Sequence, residues 1–75
     1  MNKEDKVILK AFGEKIRLYR KDKGVSQEEL GNMAGLDRTY IGSVERGERN
    51  ISLVNIHRIA NALSVKVREL IESND

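Results

Sequence analysis

The 75-residue chain carries 14 Lys and Arg residues against 12 Asp and Glu residues, and it contains no cysteine and no proline. This length predicts one domain over residues 1–75 with a small core, and the lack of cysteine excludes a disulfide framework and a Cys-based zinc site. No apolar run reaches the roughly 20 residues of a membrane span, and the N-terminal segment is too charged for a signal peptide, so we expect an uncleaved cytoplasmic protein without a membrane partner.

The first predicted helix begins at Asn2 or Asp5, either of which can act as its N-cap, and it runs to about Asp22. Apolar residues at helical spacing predict its core face, namely Ile8, Phe12, Ile16 and Tyr19. Gly13 lies inside this helix at a cost of about 1 kcal/mol relative to alanine, which indicates a position where another helix can come close.

The same helix is locally basic. Between residues 10 and 23 there are six basic residues and two acidic ones; the basic residues are Lys10, Lys15, Arg17, Arg20, Lys21 and Lys23. Such a segment is either an ordinary solvated helix face or part of a surface for nucleic acid, and composition alone favours the solvated face.

The central stretch, SQEELGNMAGLDRTYIGSVERGE, predicts two short helices separated by a tight turn. Ser26 and Glu29 have the spacing of a capping box at the start of the first, and Gly35 supplies the positive φ that ends it. Asp37 can cap the second helix, in which apolar and polar residues separate onto different faces. Two such helices at a steep angle are typical of a helix-turn-helix, here over residues 26–46.

The remainder of the chain predicts a loop over residues 47–51 and two further helices within residues 52–72. Ser52 can cap the fourth helix, whose apolar positions follow the helical pattern at Ile56, Ile59, Ala60 and Leu63. A short fifth helix follows from Val65, Val67, Leu70 and Ile71, and residues 72–75 are expected to fray. The prediction is a compact, all-α fold of five helices.

The segment SQEELGNMAGLDRTYIGSVERGERNISL, followed by IHRIANAL, resembles the phage-repressor (Cro/C1-type, XRE-like) helix-turn-helix family. Within that family it is most similar to the small controller proteins of restriction–modification systems. The resemblance extends from about Phe12 to Ile71. It implies sequence-specific binding of double-stranded DNA by a homodimer that regulates its own gene and an endonuclease gene.

The second helix of the motif supplies the candidate base-reading residues. Arg38, at its first position, can make a bidentate contact with guanine, and Thr39 can offer a methyl or a hydroxyl group to a base edge. Ser43 lies one turn further on and is predicted to face the same way, and in the family the positions matching these three residues read bases. Two roles are open for Tyr40: its ring can pack beside Ile41, or its hydroxyl can reach the DNA.

Other residues are candidates for contacts with the DNA backbone. The free N–H groups at the helix start by Ser26 favour a phosphate, and the resemblance implies that Gln27 holds the backbone there. It implies backbone contacts also for Arg46, Arg49 and Asn50, each of which is equally a candidate for a solvated loop residue.

The resemblance further implies a structural ion pair and a dimer. Family members pair the glutamate matching Glu45 with an arginine of the first helix, here predicted as Arg20. They dimerise through the last two helices, where the apolar candidates are Val54, Val65, Val67 and Ile71. These four residues can equally close the monomer's own core.

Composition argues against other functions. His57 is the single histidine, so no metal site, cofactor site or nucleophile–base arrangement is predicted, and we do not expect an enzyme. Without an effector domain, no small-molecule effector is expected, while RNA polymerase is a candidate partner. The alternatives are a prophage repressor, an antitoxin-type regulator, or a protein-interaction module that does not bind DNA.

Overall fold

A computed structural model describes residues 2–72 as five helices, and over this range there is no strand. The helices are α1 (Lys3–Lys23), α2 (Gln27–Ala34), α3 (Arg38–Glu45), α4 (Leu53–Leu63) and α5 (Val67–Ile71). The predicted all-α architecture is therefore confirmed. The predicted fraying of the chain end falls largely on residues 73–75, which lie outside the described range.

Local capping chemistry sets where the helices begin. Asn2, not Asp5, caps α1, because its Oδ1 accepts from the Asp5 N–H at 2.8 Å. At α2 the predicted capping box is present: the Ser26 hydroxyl accepts from the Glu29 N–H at 3.0 Å, and the Glu29 carboxylate accepts from the Ser26 N–H at 2.8 Å. Gly35 ends α2 with φ of 71°, a conformation that costs a glycine little.

One core joins all five helices. Its fully buried large side chains come from each helix in turn: Ile16, Leu30, Ile41 with Val44, Ile59 and Leu70. The predicted core position of Ile8 is wrong, because Ile8 is 65% exposed and Leu9 is buried in its place. Both residues keep helical spacing with Phe12, at four and three residues, so periodicity alone does not distinguish them.

Gly13 is the point where α1 meets α3. A Cβ atom at this position would lie 2.6 Å from the Glu45 carbonyl oxygen and would also collide with the Val44 carbonyl oxygen. The predicted close approach of another helix is thus confirmed, and the partner is the C-terminal end of α3. This contact fixes the motif formed by α2 and α3 against the long helix α1.

The described residues contain no helix long and apolar enough to span a membrane.

Candidate nucleic-acid interface

The N-terminal end of α3 is held by Asp37. Its carboxylate accepts from the Thr39 N–H at 2.7 Å, and hydrogen bonding to Thr39 lowers the pKa of Asp37. The charged cap therefore persists at neutral pH and stabilises the first turn through the helix dipole. Arg38 and Thr39 follow the cap directly and are exposed, so both side chains are available to a ligand that approaches this end of α3.

Ser43 is far less accessible than Arg38 and Thr39. It is 7% exposed, and its hydroxyl donates to the Tyr40 carbonyl oxygen at 2.7 Å while accepting from Arg49 Nε at 3.1 Å. Ser43 lies one helical turn after Thr39, as predicted, but Arg49 from the following loop covers its hydroxyl. A base contact by Ser43 stays a prediction.

Of the two roles left open for Tyr40, the structure shows the packing of its ring, and a contact with DNA stays a prediction. The ring packs against the core, and the hydroxyl accepts from Asn55 Nδ2 at 3.1 Å. The Arg49 guanidinium lies 5.3 Å from the ring centroid, within range of a cation–π interaction. Asn55 was not expected at this surface, because its contact with Tyr40 depends on how α4 packs against α3.

The predicted pair of Arg20 and Glu45 is present and buried. Arg20 donates from Nε to Glu45 Oε2 at 2.6 Å and from Nη2 to Oε1 at 3.0 Å, and the side chains are 11% and 4% exposed. Hydrogen bonding to Glu45 raises the pKa of Arg20, so the guanidinium stays charged. A third bond, from Arg20 Nη1 to the Val25 carbonyl oxygen at 3.0 Å, ties the pair to the turn before α2.

Gln27 extends this buried pair to the surface. Its Nε2 donates to Glu45 Oε1 at 3.0 Å, which links the first residue of α2 to the last residue of α3. The half-buried Gln27 amide keeps a second N–H and a carbonyl oxygen for other partners. Gln27 is thus positioned at the start of α2 by a charged network that also fixes α1 and α3.

Gly42 leaves the space that this arrangement requires. A Cβ atom at Gly42 would lie 3.2 Å from Arg46 Nη1 and 3.3 Å from Gln27 Oε1. The absence of a side chain in the middle of α3 therefore accommodates two polar side chains, one from α2 and one from the residue that follows α3.

The loop after α3 adds exposed polar residues. Arg46 pairs with Glu48 through two bonds, at 2.9 and 3.1 Å, and hydrogen bonding between the partners raises the pKa of Arg46 and lowers that of Glu48. Both side chains are more than half exposed, so the pair is weak and can open. Arg49 and Asn50 are also exposed.

The Ser26 hydroxyl, although it accepts a capping bond, keeps its proton as a donor.

These features define a class of protein. Two short helices joined by a tight turn place Arg38 and Thr39 at the start of the second helix and Gln27 at the start of the first. A helix of this kind fits the DNA major groove, where side chains at its N-terminal end reach base edges. The fold and the surface are those of a helix-turn-helix DNA-binding domain.

Comparison with known proteins agrees with this assignment. The HTH_3 helix-turn-helix family matches residues 16–70. The control protein C.SmaI of Serratia marcescens is 45% identical over 64 residues, 85% of this chain and 76% of that protein. The control protein C.BamHI of Bacillus amyloliquefaciens is 47% identical over 62 residues, 81% and 76% of the two chains.

A solved structure shows the same fold. The restriction–modification controller protein C.AhdI of Aeromonas hydrophila superposes with a TM-score of 0.82 at 55% sequence identity, over 83% of this chain and 94% of that chain. The chain therefore belongs to the helix-turn-helix family. It is a DNA-binding transcription regulator similar to the restriction–modification controller proteins.

Proposed function

We propose that the chain is the controller of a restriction–modification system. It binds a near-palindromic DNA operator as a homodimer and regulates its own gene and that of the neighbouring endonuclease. The observation that carries this proposal is the exposed start of α3, which Asp37 caps, in a motif that the network of Gln27, Glu45 and Arg20 fixes to α1. The similarity to several control proteins supports the particular role.

In the proposed complex, α3 enters the major groove and Arg38 reads a guanine through its O6 and N7 atoms. Thr39 contacts the neighbouring base. The Asp37 carboxylate caps the start of α3 by accepting from the Thr39 backbone N–H. This bond does not use the side chains of Arg38 and Thr39, which can therefore contact DNA.

The backbone contacts come from both ends of the motif. Gln27 and the Ser26 hydroxyl meet a phosphate at the N-terminus of α2, where the helix dipole favours negative charge. On the far side of α3, Arg46, Arg49 and Asn50 contact phosphates from the loop. Arg46 exchanges Glu48 for a phosphate at little cost because their pair is exposed. These contacts orient the motif but carry no sequence information.

The structure separates the four dimer candidates into two groups. Val65 and Val67 are partly buried against the core, whereas Val54 and Ile71 are 61% and 59% exposed. We assign the interface to the exposed pair and to Leu53, which is 66% exposed. A two-fold dimer built on α4 and α5 places two α3 helices on one face of DNA. In this proposal, regulation of transcription depends on protein concentration and on contact with RNA polymerase.

Replacing Arg38 with alanine is expected to reduce discrimination at one base position of each half-site. A bidentate contact with guanine is worth about 1–3 kcal/mol, which corresponds to roughly 5- to 150-fold in relative affinity. Competition binding with duplexes that vary one base pair at a time measures this loss. Arg58→Ala removes the same charge from α4 and should leave the base preference unchanged. An unaltered preference in the Arg38 variant would remove Arg38 from the base-reading residues.

Replacing Val54 and Ile71 together with glutamate is expected to convert the dimer to a monomer, because burying two new carboxylates from each subunit in an apolar interface is unfavourable. Sedimentation equilibrium detects the change in mass. Met33→Glu is the matched control, since Met33 is an exposed apolar residue of α2. A double variant that stays dimeric would place the interface elsewhere.

A further inference from the structure

Helix α1 is longer than its core contacts require, and its exposed basic residues are not scattered. Five of them follow one another at separations of three, four, seven and four residues, which places them on one strip of a helix. We call this strip the α1 basic stripe; it consists of Lys3, Lys6, Lys10, Arg17 and Lys21, all exposed. At a rise of 1.5 Å per residue it is about 27 Å long.

The stripe is continuous with the proposed DNA-binding surface. Lys3, Lys6 and Lys10 line a shallow cleft together with the loop segment of Arg46, Gly47 and Glu48. The two elements touch closely there, because a Cβ atom at Gly47 would lie only 2.9 Å from the Lys10 Cα atom. The N-terminal half of the stripe therefore runs beside the loop that follows α3.

The stripe residues form no ion pair within the described part of the chain, and the carboxylates near them are those of Glu14 and of Glu48 in the cleft. The ion pairs there are those of Arg20 with Glu45 and of Arg46 with Glu48, and neither includes a stripe residue. Of the acidic residues of α1, Glu14 borders the stripe and the others fall on different faces of the helix. The stripe thus presents five positive charges along one side of the molecule.

The opposite side of α1 has a different character. Lys15 lines an apolar groove together with Phe12, Leu18 and Ile56, and Ile8 lies in the same groove. This division shows that the basic segment around α1 is not uniformly charged. One side of the helix is a cationic ridge next to the loop after α3, and the other is apolar.

We propose that the α1 basic stripe binds the sugar–phosphate backbone of duplex DNA next to the half-site that α3 reads. The proposal rests on the proposed function, since it requires that α3 occupy the major groove. Lysine and arginine side chains spaced over about 27 Å match phosphates on a strand that leaves the half-site along α1, and each contact releases condensed counterions. The stripe adds affinity and salt dependence without adding sequence preference.

The test compares two triple variants that lose the same charge. The stripe variant is Lys10→Ala, Arg17→Ala and Lys21→Ala, and the control variant is Lys15→Ala, Arg58→Ala and Lys66→Ala. Alanine is favourable in helices, and Lys66, which precedes α5, makes no side-chain capping bond. Both variants are therefore expected to fold, and circular dichroism checks this. The probe is a mixed-sequence duplex of about three helical turns, roughly 30 bp, titrated with protein at several NaCl concentrations.

For the stripe variant we expect the slope of log Kobs against log [NaCl] to fall in magnitude by roughly 5, at about 0.9 for each of the six phosphate contacts that the dimer loses. The affinity at moderate salt should fall by roughly tenfold or more, while the control variant changes little in either quantity. Equal behaviour of the two folded variants would overturn the proposal. Failure of the unmodified protein to bind any duplex would instead contradict the proposed function itself.

The length of the DNA locates the contact. On a duplex limited to the selected operator, the stripe variant and the unmodified protein should differ less than on one extended by about a helical turn, roughly 10 bp, at each end. A loss that is equally large on the short duplex would place the stripe's contacts inside the half-site and overturn the assignment to neighbouring DNA.

Discussion

Replacing Glu45 with alanine is expected to lower the free energy of unfolding by about 3–5 kcal/mol, because it leaves the buried Arg20 guanidinium without its charged partner. The carboxylate accepts bonds from both Arg20 and Gln27, so its removal loosens the contacts among α1, α2 and α3 together. A domain of this size is stable by only about 4–11 kcal/mol at 0.05–0.15 kcal/mol per residue. The variant should therefore be close to unfolding, as measured by urea denaturation.

Glu48→Ala is the matched control for this prediction. It removes the same type of residue from an ion pair with an arginine, but its side chain and that of Arg46 are more than half exposed. Exposed pairs contribute little to stability, so the denaturation midpoint should hardly move. Similar midpoints for the Glu45 and Glu48 variants would show that the buried network does not hold the motif together.

Replacing Gly13 with alanine is expected to destabilise the protein by about 1–3 kcal/mol, the usual cost of overpacking a close contact. In an open helix the same change would stabilise by about 1 kcal/mol. Here the added methyl group collides with the carbonyl oxygens of Val44 and Glu45, and backbone atoms cannot move aside without separating α1 from α3. Thermal or urea unfolding of the purified variant measures the effect.

Gly42→Ala provides the comparison for Gly13, since it is also a buried glycine in the middle of a helix. Its new methyl group would meet only the ends of two flexible side chains, those of Arg46 and Gln27. The helix propensity of alanine then offsets the small rearrangement, and stability should change little. If Gly13→Ala proved as mild as Gly42→Ala, the contact between α1 and α3 would be looser than the structure shows.

Most of the fold was predictable because its signals are local. A capping box at Ser26 and Glu29, a glycine in the left-handed conformation at Gly35 and a cap at Asp37 each act within a few residues. The rotation of α1 about its axis was not predictable in the same way. Ile8 and Leu9 both satisfy helical spacing, and only the way α1 packs on the rest of the chain leaves Leu9 buried and Ile8 exposed.

In the candidate site, too, features set by local signals were predictable, and features that depend on packing between helices were not. The exposed positions of Arg38 and Thr39 were predictable because they follow directly from the cap at Asp37. The low exposure of Ser43 was not predictable, since it depends on Arg49, which reaches its hydroxyl from the loop. The contact of Asn55 with Tyr40 and the space left at Gly42 also depend on how separate helices pack. A single sequence carries no local signal for such contacts.

The central claim is that the chain is a sequence-specific, dimeric DNA-binding regulator, and in vitro selection from random duplexes with the purified protein tests it most directly. We predict enrichment of a two-fold symmetric site whose half-site centres lie about one helical turn, roughly 34–36 Å, apart. Finding that site upstream of the chain's own gene and of an adjacent endonuclease gene would support the controller role. No enrichment at either low or moderate salt would contradict the claim and favour a protein-interaction module instead.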